Sequence, residues 1–197
     1  MSEKHNKIIL AALLHDINKV FINTSYEDLI NSLNIEDSEL ANGIKCHHEK
    51  DFKEVELKAD SIAYIIYAAD RIATAANRGI IESGNMEFKP LKTIFNTLNE
   101  NNQNKVYNPE TISDGNAINY PVDKCADDIA IKLDSIKLNL QKKIGTISYE
   151  REYLNYLLET FEIYLSHFPS SYLNEERADI SLYDHIKITT AISSGIY

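Results

Sequence analysis

A histidine and an aspartate stand side by side inside the first long apolar run of the chain. The run extends from Ile8 to Ile17, and His15-Asp16 interrupts it near its end. Burying an unpaired carboxylate is costly, so a carboxylate in a protein core is usually neutralised, paired with a cation or bound to a metal. The pair therefore predicts either a metal site or a hydrogen-bonded pair in the core of the fold.

The overall composition is that of a globular domain. The 197 residues are 44 % hydrophobic and 25 % charged, which is enough for one domain with its own core. No apolar run approaches the roughly 18 residues that a membrane span needs, and the N-terminus lacks the pattern of a secretory signal. Two isolated cysteines, Cys46 and Cys125, are too few for a disulfide framework. We therefore expect a cytoplasmic protein without a membrane partner.

The charge of the chain limits how it can bind nucleic acid. A net charge of −10 argues against a protein that holds nucleic acid through its overall electrostatic field. An activity on nucleic acid therefore needs a local basic strip, a metal or a partner subunit. Possible phosphate contacts cluster around His47-His48, namely Lys45, Lys50, Lys53 and Lys58. Interleaved acidic residues nevertheless favour a solvated face of mixed charge.

Hydrophobic periodicity predicts a mostly α-helical chain. The clearest amphipathic helix covers residues 57–78, where isoleucines and alanines share one face and Asp70 lies at its edge. Glycine, proline and asparagine punctuate residues 79–126, which predicts an irregular insertion with one helix near 90–99. The last predicted helix keeps its apolar pattern to the final residue, which indicates truncation at a domain boundary. The predicted helices besides the one in the insertion are 5–22, 26–33, 38–48, 57–78, 124–143, 149–167 and 181–197.

More histidines and aspartates occur in similar settings. His47-His48 ends one predicted helix, Asp70 lies on another, and Asp184-His185 stands near the start of the last. Imidazole and carboxylate together suit manganese, iron, nickel, cobalt or zinc. Such a metal lowers the pKa of a bound water and polarises a phosphoryl oxygen, and two metals can clamp the oxygens of a phosphodiester. Since a helical bundle can bring such ligands together in its core, the set indicates a metal-dependent hydrolase.

Each of these residues also has a structural interpretation. His47-His48 fits a solvated helix end, where histidine favours the C-terminal dipole. Asp70 lies near arginines and fits an ion pair. Residues 181–184 fit a capping box with aspartate in place of glutamate, which makes His185 the better ligand candidate of its pair. The sequence leaves these alternatives open.

The motifs together resemble one family within the HD-superfamily phosphohydrolases. Residues 13–19 read LLHDINK and resemble its LLHDIGK motif, and residues 68–78 resemble its ADxLSSGxR segment. The most specific likeness joins residues 168–171 to residues 178–197, which are similar to a PSS…PDISLYDHSKTTAAIA…LY segment. These segments resemble the HD nuclease domain of the large subunits of type III-A (Csm-type) CRISPR interference complexes.

The resemblance implies an all-α, circularly permuted HD-superfamily domain over residues 1–197, in which His185 replaces the histidine that opens an ordinary HD fold. It implies a metal-dependent nuclease that cuts single-stranded DNA. The implied partners are the other subunits of a crRNA-guided complex and the palm domains of the same subunit, whose GGDD motif this sequence lacks. Asn18 stands where the family has glycine, and its His-Ala-x-x-Ser stretch has no clear counterpart near residues 34–43.

Our hypothesis from the sequence is therefore a permuted HD nuclease with His15 and Asp16 as catalytic residues, Asp16 bridging or ligating the metal. The predicted metal ligands are His15, Asp16, His47, His48, Asp70 and His185. The predicted substrate contacts are Lys19, Lys45 and Arg78. Manganese or nickel is the expected metal, with cobalt, iron or zinc as alternatives. An HD-type nucleotide phosphohydrolase and a non-catalytic HD scaffold are the alternative functions.

Overall fold

The regular structure of the chain is helical. The computed structural model describes residues 2–22, 24–53, 55–75, 88–98, 103–112, 119–172 and 178–197. Within them the helices are α1 Glu3–Leu14, α2 Tyr26–Ser32, α3 Ser38–Lys45, α4 Ala63–Ala75, α5 Ile129–Ile144, α6 Arg151–Leu165 and α7 Leu182–Ile196. Short 3-10 turns cover Ile17–Lys19, Asp51–Lys53 and Ile94–Asn96. The predicted all-α class is confirmed, and circular permutation stays a prediction. In the described part of the chain, no helix has both the length and the apolarity to cross a bilayer.

The chain divides into two compact units. The first consists of Met1–Arg78, Ile144–Leu158 and His185–Tyr197. The second consists of Gly79–Lys143 and Glu159–Asp184. The insertion predicted at residues 79–126 falls in the second unit, where isolated antiparallel bridges pair Val106 with Lys92 and with Val122. The extent of the HD domain over residues 1–197 stays a prediction.

Helix α3 lies at the centre of the helix packing in the first unit, because it contacts α1, α2 and α4. Gly43 allows this approach: a Cβ atom there would lie 3.0 Å from the Cβ of Ala11 and 3.0 Å from Cδ1 of Ile62. The C-terminal half of α1 is buried on all sides, from Leu10 to Leu14. Burying one such leucine contributes about 1.5–3 kcal/mol, so this half of α1 adds substantially to the stability of the core.

Asp37 joins three parts of the first unit. Its carboxylate caps the N-terminus of α3 by accepting backbone N–H groups, and it also accepts a hydrogen bond of 2.8 Å from the hydroxyl of Tyr149. The ammonium of Lys7 lies 2.7 Å from the same side chain. Partial burial by itself raises the pKa of Asp37, but these hydrogen bonds outweigh it and lower the pKa to about 2.

Four of the predicted helices begin later or end earlier than their apolar pattern, and one of them, predicted over 124–143, begins at Ile129. The helices predicted over 5–22 and 38–48 end at Leu14 and Lys45, because the histidines that follow turn back onto the backbone of the last turn. The helix predicted over 57–78 begins at Ala63, where the hydroxyl of Ser61 accepts the Ala63 N–H at 3.4 Å. Hydrophobic spacing indicates which helix faces are buried. It does not indicate these side-chain hydrogen bonds to the backbone, which set the helix ends. Residues 76–78 lie outside the described part of the chain.

In the second unit, one predicted helix is wrong and the predicted cap of the last helix is present. The helix predicted near 90–99 is only the 3-10 turn Ile94–Asn96, because Asn96 exchanges two hydrogen bonds with the backbone of Lys105 instead of continuing a helix. The predicted capping at the start of the last helix is confirmed. The hydroxyl of Ser181 accepts the Asp184 N–H at 3.0 Å and donates to the Asp184 carboxylate at 2.7 Å.

Gly43→Ala is expected to lower the free energy of unfolding by about 1–3 kcal/mol, because the new methyl group forces α3 away from α1. Urea denaturation of the whole chain measures the effect. The matched control is Gly195→Ala, where no atom lies within 4 Å of the added Cβ and alanine should be neutral or stabilising. Equal stability of the two variants would contradict the close packing at Gly43.

The Asp37 cluster predicts a pH-dependent contribution to stability. Because the folded pKa of about 2 lies below the ordinary value of 3.8, the contribution is present above about pH 4 and is lost as the pH falls towards 2. We expect Asp37→Asn to destabilise the protein by about 1 kcal/mol at pH 7, a figure reduced for solvent screening. In urea titrations from about pH 7 to about pH 3, the difference from the wild type should shrink. A difference that stays constant would exclude this role.

Candidate metal centre

Five of the predicted ligands come together in the first unit. His15 and Asp16 follow the end of α1, His47 follows the end of α3, Asp70 lies in α4, and His185 lies in the first turn of α7. All five side chains are buried, with exposed fractions between 0 % and 8 %. Four helices thus bring histidine nitrogens and carboxylate oxygens to one place in the core.

Four of these side chains form a tight cluster. Nε2 of His185 lies 3.0 Å from Oδ2 of Asp16 and 3.2 Å from Oδ1 of Asp70. Nε2 of His15 lies 3.3 Å from Nε2 of His185 and 3.4 Å from Oδ2 of Asp16. The four ligand atoms all lie within 4.8 Å of one another. Ligands bonded to one ion at about 2.1 Å are spaced about 3–3.4 Å apart, so this buried group can hold a divalent metal.

The two histidines that follow helix ends are oriented by the backbone. Nδ1 of His15 lies 2.7 Å from the carbonyl of Ala12, and Nδ1 of His47 lies 2.6 Å from the carbonyl of Ile44. A carbonyl only accepts hydrogen bonds, so Nδ1 carries the proton in both rings. The last turn of a helix leaves such carbonyls without an intrahelical partner. Each ring therefore ends its helix and turns Nε2 towards the site, as metal-binding histidines require.

The cluster balances its own charges. Burial by itself raises the pKa of Asp16, but the Lys19 ammonium and His15 outweigh it and hold that pKa well below its usual value. Hydrogen bonds with His15 and His185 likewise lower the pKa of Asp70 against the effect of burial. Desolvation disfavours the charged form of His15, yet the two carboxylates raise its pKa to about 10. Buried carboxylates need positive charge beside them, which His15 and Lys19 supply here and which a divalent cation can also supply.

The two oxygens of Asp16 face different neighbours. Oδ2 faces His15 and His185 and also contacts the ammonium of Lys19. Oδ1 faces His47, whose Nε2 lies 3.6 Å away. His47 thus stands beside the four-residue cluster rather than within it. A carboxylate with its two oxygens directed this way can bridge two metal-binding positions. Bridging by Asp16 stays a prediction.

His48 and Lys45 lie outside the buried cluster. His48 is exposed; its ring centroid lies 4.2 Å from that of His47, and its backbone N–H donates to Asp51. Partial desolvation of the His48 ring and proximity to His47 lower its pKa to about 4. Lys45 lies 3.7 Å from the carboxylate of Glu27. The third predicted substrate contact, Arg78, lies outside the described residues. Roles for these side chains stay predictions.

The sequence analysis missed two residues beside the site. The hydroxyl of Tyr26 donates to Oδ1 of Asn18 at 2.9 Å and lies 3.3 Å from Nε2 of His47. Burial of the hydroxyl and the charge of Asp16 raise the pKa of Tyr26 well above its ordinary value, so the hydroxyl keeps its proton. That single proton goes to Asn18, and the oxygen faces His47. Asn18 was noted only as a replacement for glycine, and nothing in the local pattern marked Tyr26.

Comparison with known proteins supports the likeness seen in the motifs. No family model matches the chain. It is 28 % identical to the "CRISPR system single-strand-specific deoxyribonuclease Cas10/Csm1 (subtype III-A)" of Enterococcus italicus, over 98 % of this chain and 29 % of that protein. The protein of the same name from Mycobacterium tuberculosis is 28 % identical over 84 % of this chain and 21 % of its own length. The predicted resemblance is confirmed, and the chain spans less than a third of these curated relatives.

Solved structures share the fold of the chain. A Csm1–Csm4 cassette in complex with cA3 matches 100 % of this chain and 28 % of its own, with a TM-score of 0.66 and 19 % identity. A Csm1–Csm4 cassette in complex with cA4 matches 98 % of this chain and 28 % of its own, with a TM-score of 0.63 and 20 % identity. At this level of identity the likeness concerns the fold.

Manganese or nickel is expected to raise the melting temperature of the metal-depleted protein by about 5–10 °C at a concentration of about 100 times the dissociation constant. Asp70→Asn should lose most of this increment, because it replaces a charged ligand of the cluster by a neutral amide. The control Asp60→Asn changes an exposed carboxylate, 78 % accessible, and should keep the increment. Thermal unfolding with and without metal measures both. Equal increments in the two variants would rule out Asp70 as a ligand.

Proposed function

We propose that this chain is a metal-dependent phosphodiesterase that cleaves single-stranded DNA as part of a type III CRISPR effector complex. The observation that carries the proposal is the buried cluster of His15, Asp16, Asp70 and His185, with ligand atoms within 4.8 Å of one another. A mixed set of imidazole and carboxylate ligands is typical of metal-assisted hydrolysis. The named relatives, which are single-strand-specific deoxyribonucleases, support DNA as the substrate.

The proposed mechanism assigns separate tasks to the residues of the site. His15, Asp16, Asp70 and His185 hold the metal, and His47 provides a further ligand on the Oδ1 side of Asp16. When bound, manganese or nickel polarises a phosphoryl oxygen and makes a bound water more acidic.

The residues around the ligands position them. The carbonyls of Ala12 and Ile44 keep Nδ1 of His15 and of His47 protonated, so that Nε2 of each ring faces the carboxylate of Asp16. Lys19, in contact with Asp16, supplies a positive charge that can also meet a phosphate oxygen of the bound strand. We infer that Lys19 is the substrate contact best supported by its position.

The proposed partners follow from the relatives. Because the chain spans less than a third of the proteins that it matches, we infer that palm domains of the same subunit and other subunits of a crRNA-guided complex are its partners. The named structural neighbours are Csm1–Csm4 cassettes, which supports association with a further subunit. Both cysteines are free thiols, which suits the reducing cytoplasm that we propose as its compartment.

The decisive experiment incubates the protein with labelled single-stranded DNA and manganese or nickel, with a duplex of the same sequence beside it. We expect cleavage of the single strand, and a loss of at least about a hundredfold in Asp16→Asn, because Asp16 presents one oxygen to each side of the site. Asp60→Asn is the control and should cleave at the wild-type rate.

Other outcomes point to the alternative functions. Release of phosphate from nucleotides without cleavage of DNA would indicate an HD-type nucleotide phosphohydrolase instead. Absence of both activities, together with absence of metal-induced stabilisation, would indicate a non-catalytic scaffold. Cleavage that persists unchanged in Asp16→Asn would place the activity elsewhere.

A further inference from the structure

We propose that an aromatic surface beside the metal ligands binds the unpaired nucleobases of a single-stranded substrate by stacking. This aromatic surface consists of Phe52, Tyr64 and Tyr67, with Arg71 at its edge. It lies wholly in the first unit of the structure. The inference rests on the proposed function, which supplies single-stranded DNA as the ligand. It adds that these side chains recognise the bases of that strand.

The three rings are packed against one another. The centroid of Phe52 lies 5.2 Å from that of Tyr64, with 39° between the planes, and 5.0 Å from that of Tyr67, with 82° between the planes. The guanidinium of Arg71 lies 5.7 Å from the centroid of Tyr67. Phe52 and Tyr67 are half-buried, while Tyr64 is 41 % exposed. The rings are thus fixed by their contacts and still present apolar surface to solvent.

The same two chain segments carry the rings and the metal ligands. One segment contains His47 and, five residues later, Phe52. The other is α4, in which Asp70 stands three residues after Tyr67 and six after Tyr64. Residues three apart are neighbours on a helix surface, and six residues advance about 9 Å along it. At roughly 3.4 Å per stacked nucleotide, this rise along the helix axis corresponds to two or three nucleotides.

Stacking suits a protein of this charge. The chain carries a net charge of −10, so its overall field repels a phosphate backbone. Aromatic rings hold bases without requiring positive charge, and they do so with little dependence on sequence. Arg71 adds one local positive charge and a planar group that also stacks. Only an unpaired base exposes its ring face, so such a surface favours single strands over duplexes.

Tyr64 is the most exposed of the three rings. Phe52 has a structural role, because it attaches the segment after His48 to α4. Tyr64 leaves 41 % of its surface in solvent. The experiment therefore changes Tyr64, whose replacement leaves the contact between Phe52 and Tyr67 in place.

The chain contains no tryptophan, so Tyr64→Trp introduces a single, selectively excited fluorophore at the surface. A short oligodeoxyadenylate, added at low ionic strength with a metal chelator to prevent cleavage, should quench its fluorescence with a saturable curve. An abasic oligonucleotide of equal length should not, because it has the same phosphates but no bases. The control Tyr156→Trp lies on α6 with the same 41 % exposure as Tyr64 and should respond to neither probe.

Fluorescence anisotropy of labelled oligodeoxyadenylate then measures the affinity of proteins that carry no introduced tryptophan for this strand. Tyr64→Leu, which keeps an apolar side chain but removes the aromatic face, should weaken binding about tenfold, and Tyr64→Phe should restore it. Binding of the abasic strand should be the same in all three proteins.

The outcomes separate the two proposals. Base-dependent quenching in a protein that cleaves no DNA would sustain the aromatic surface while overturning the nuclease. Cleavage of single strands combined with equal quenching by both oligonucleotides, or with none, would sustain the nuclease and overturn the aromatic surface. Equal affinity of Tyr64→Leu and the wild type for oligodeoxyadenylate would also overturn it.

Discussion

Two carboxylates buried within reach of each other are the constraint on which the rest of the first unit depends. Asp16 and Asp70 share His15 and His185 as neighbours at 3.0–3.8 Å, in surroundings that water scarcely reaches. Such a pair is stable only with positive charge between its members. The helices that carry the four side chains must therefore meet at this point, and the close packing of α3 on α1 at Gly43 brings a fifth side chain, His47, beside them.

Helix ends serve both structure and chemistry in this arrangement. His15 and His47 each follow a helix and bond to a carbonyl three residues earlier. The bond satisfies a backbone acceptor that the end of the helix exposes, and it fixes the proton on Nδ1. One interaction thus ends the helix, orients the ring and selects the nitrogen that faces the site. The site's geometry consequently depends on where α1 and α3 end.

Under the proposed function, an acidic protein acts on a polyanion and must concentrate its favourable contacts. The net charge of −10 opposes binding at a distance, so affinity has to come from short-range interactions near the ligands. A divalent metal offers one such interaction with phosphate. The rings of Phe52, Tyr64 and Tyr67 offer another, with bases, and both occur on α4 and on the segment that follows α3. Under the two proposals, this proximity lets short-range contacts with a single strand outweigh the overall electrostatic repulsion.

The sequence alone determined the helical class, the buried setting of His15-Asp16 and the candidacy of His47, Asp70 and His185, because apolar periodicity and residue chemistry are local properties of the chain. It placed the ends of α1 and α3 and the start of α4 wrongly, since side-chain bonds to the backbone leave no trace in hydrophobic spacing. Only the tertiary structure separated the exposed ring of His48 from the buried cluster and brought Tyr26 to His47. Those outcomes depend on the distances between helices. Contacts between side chains that are remote in sequence set these distances.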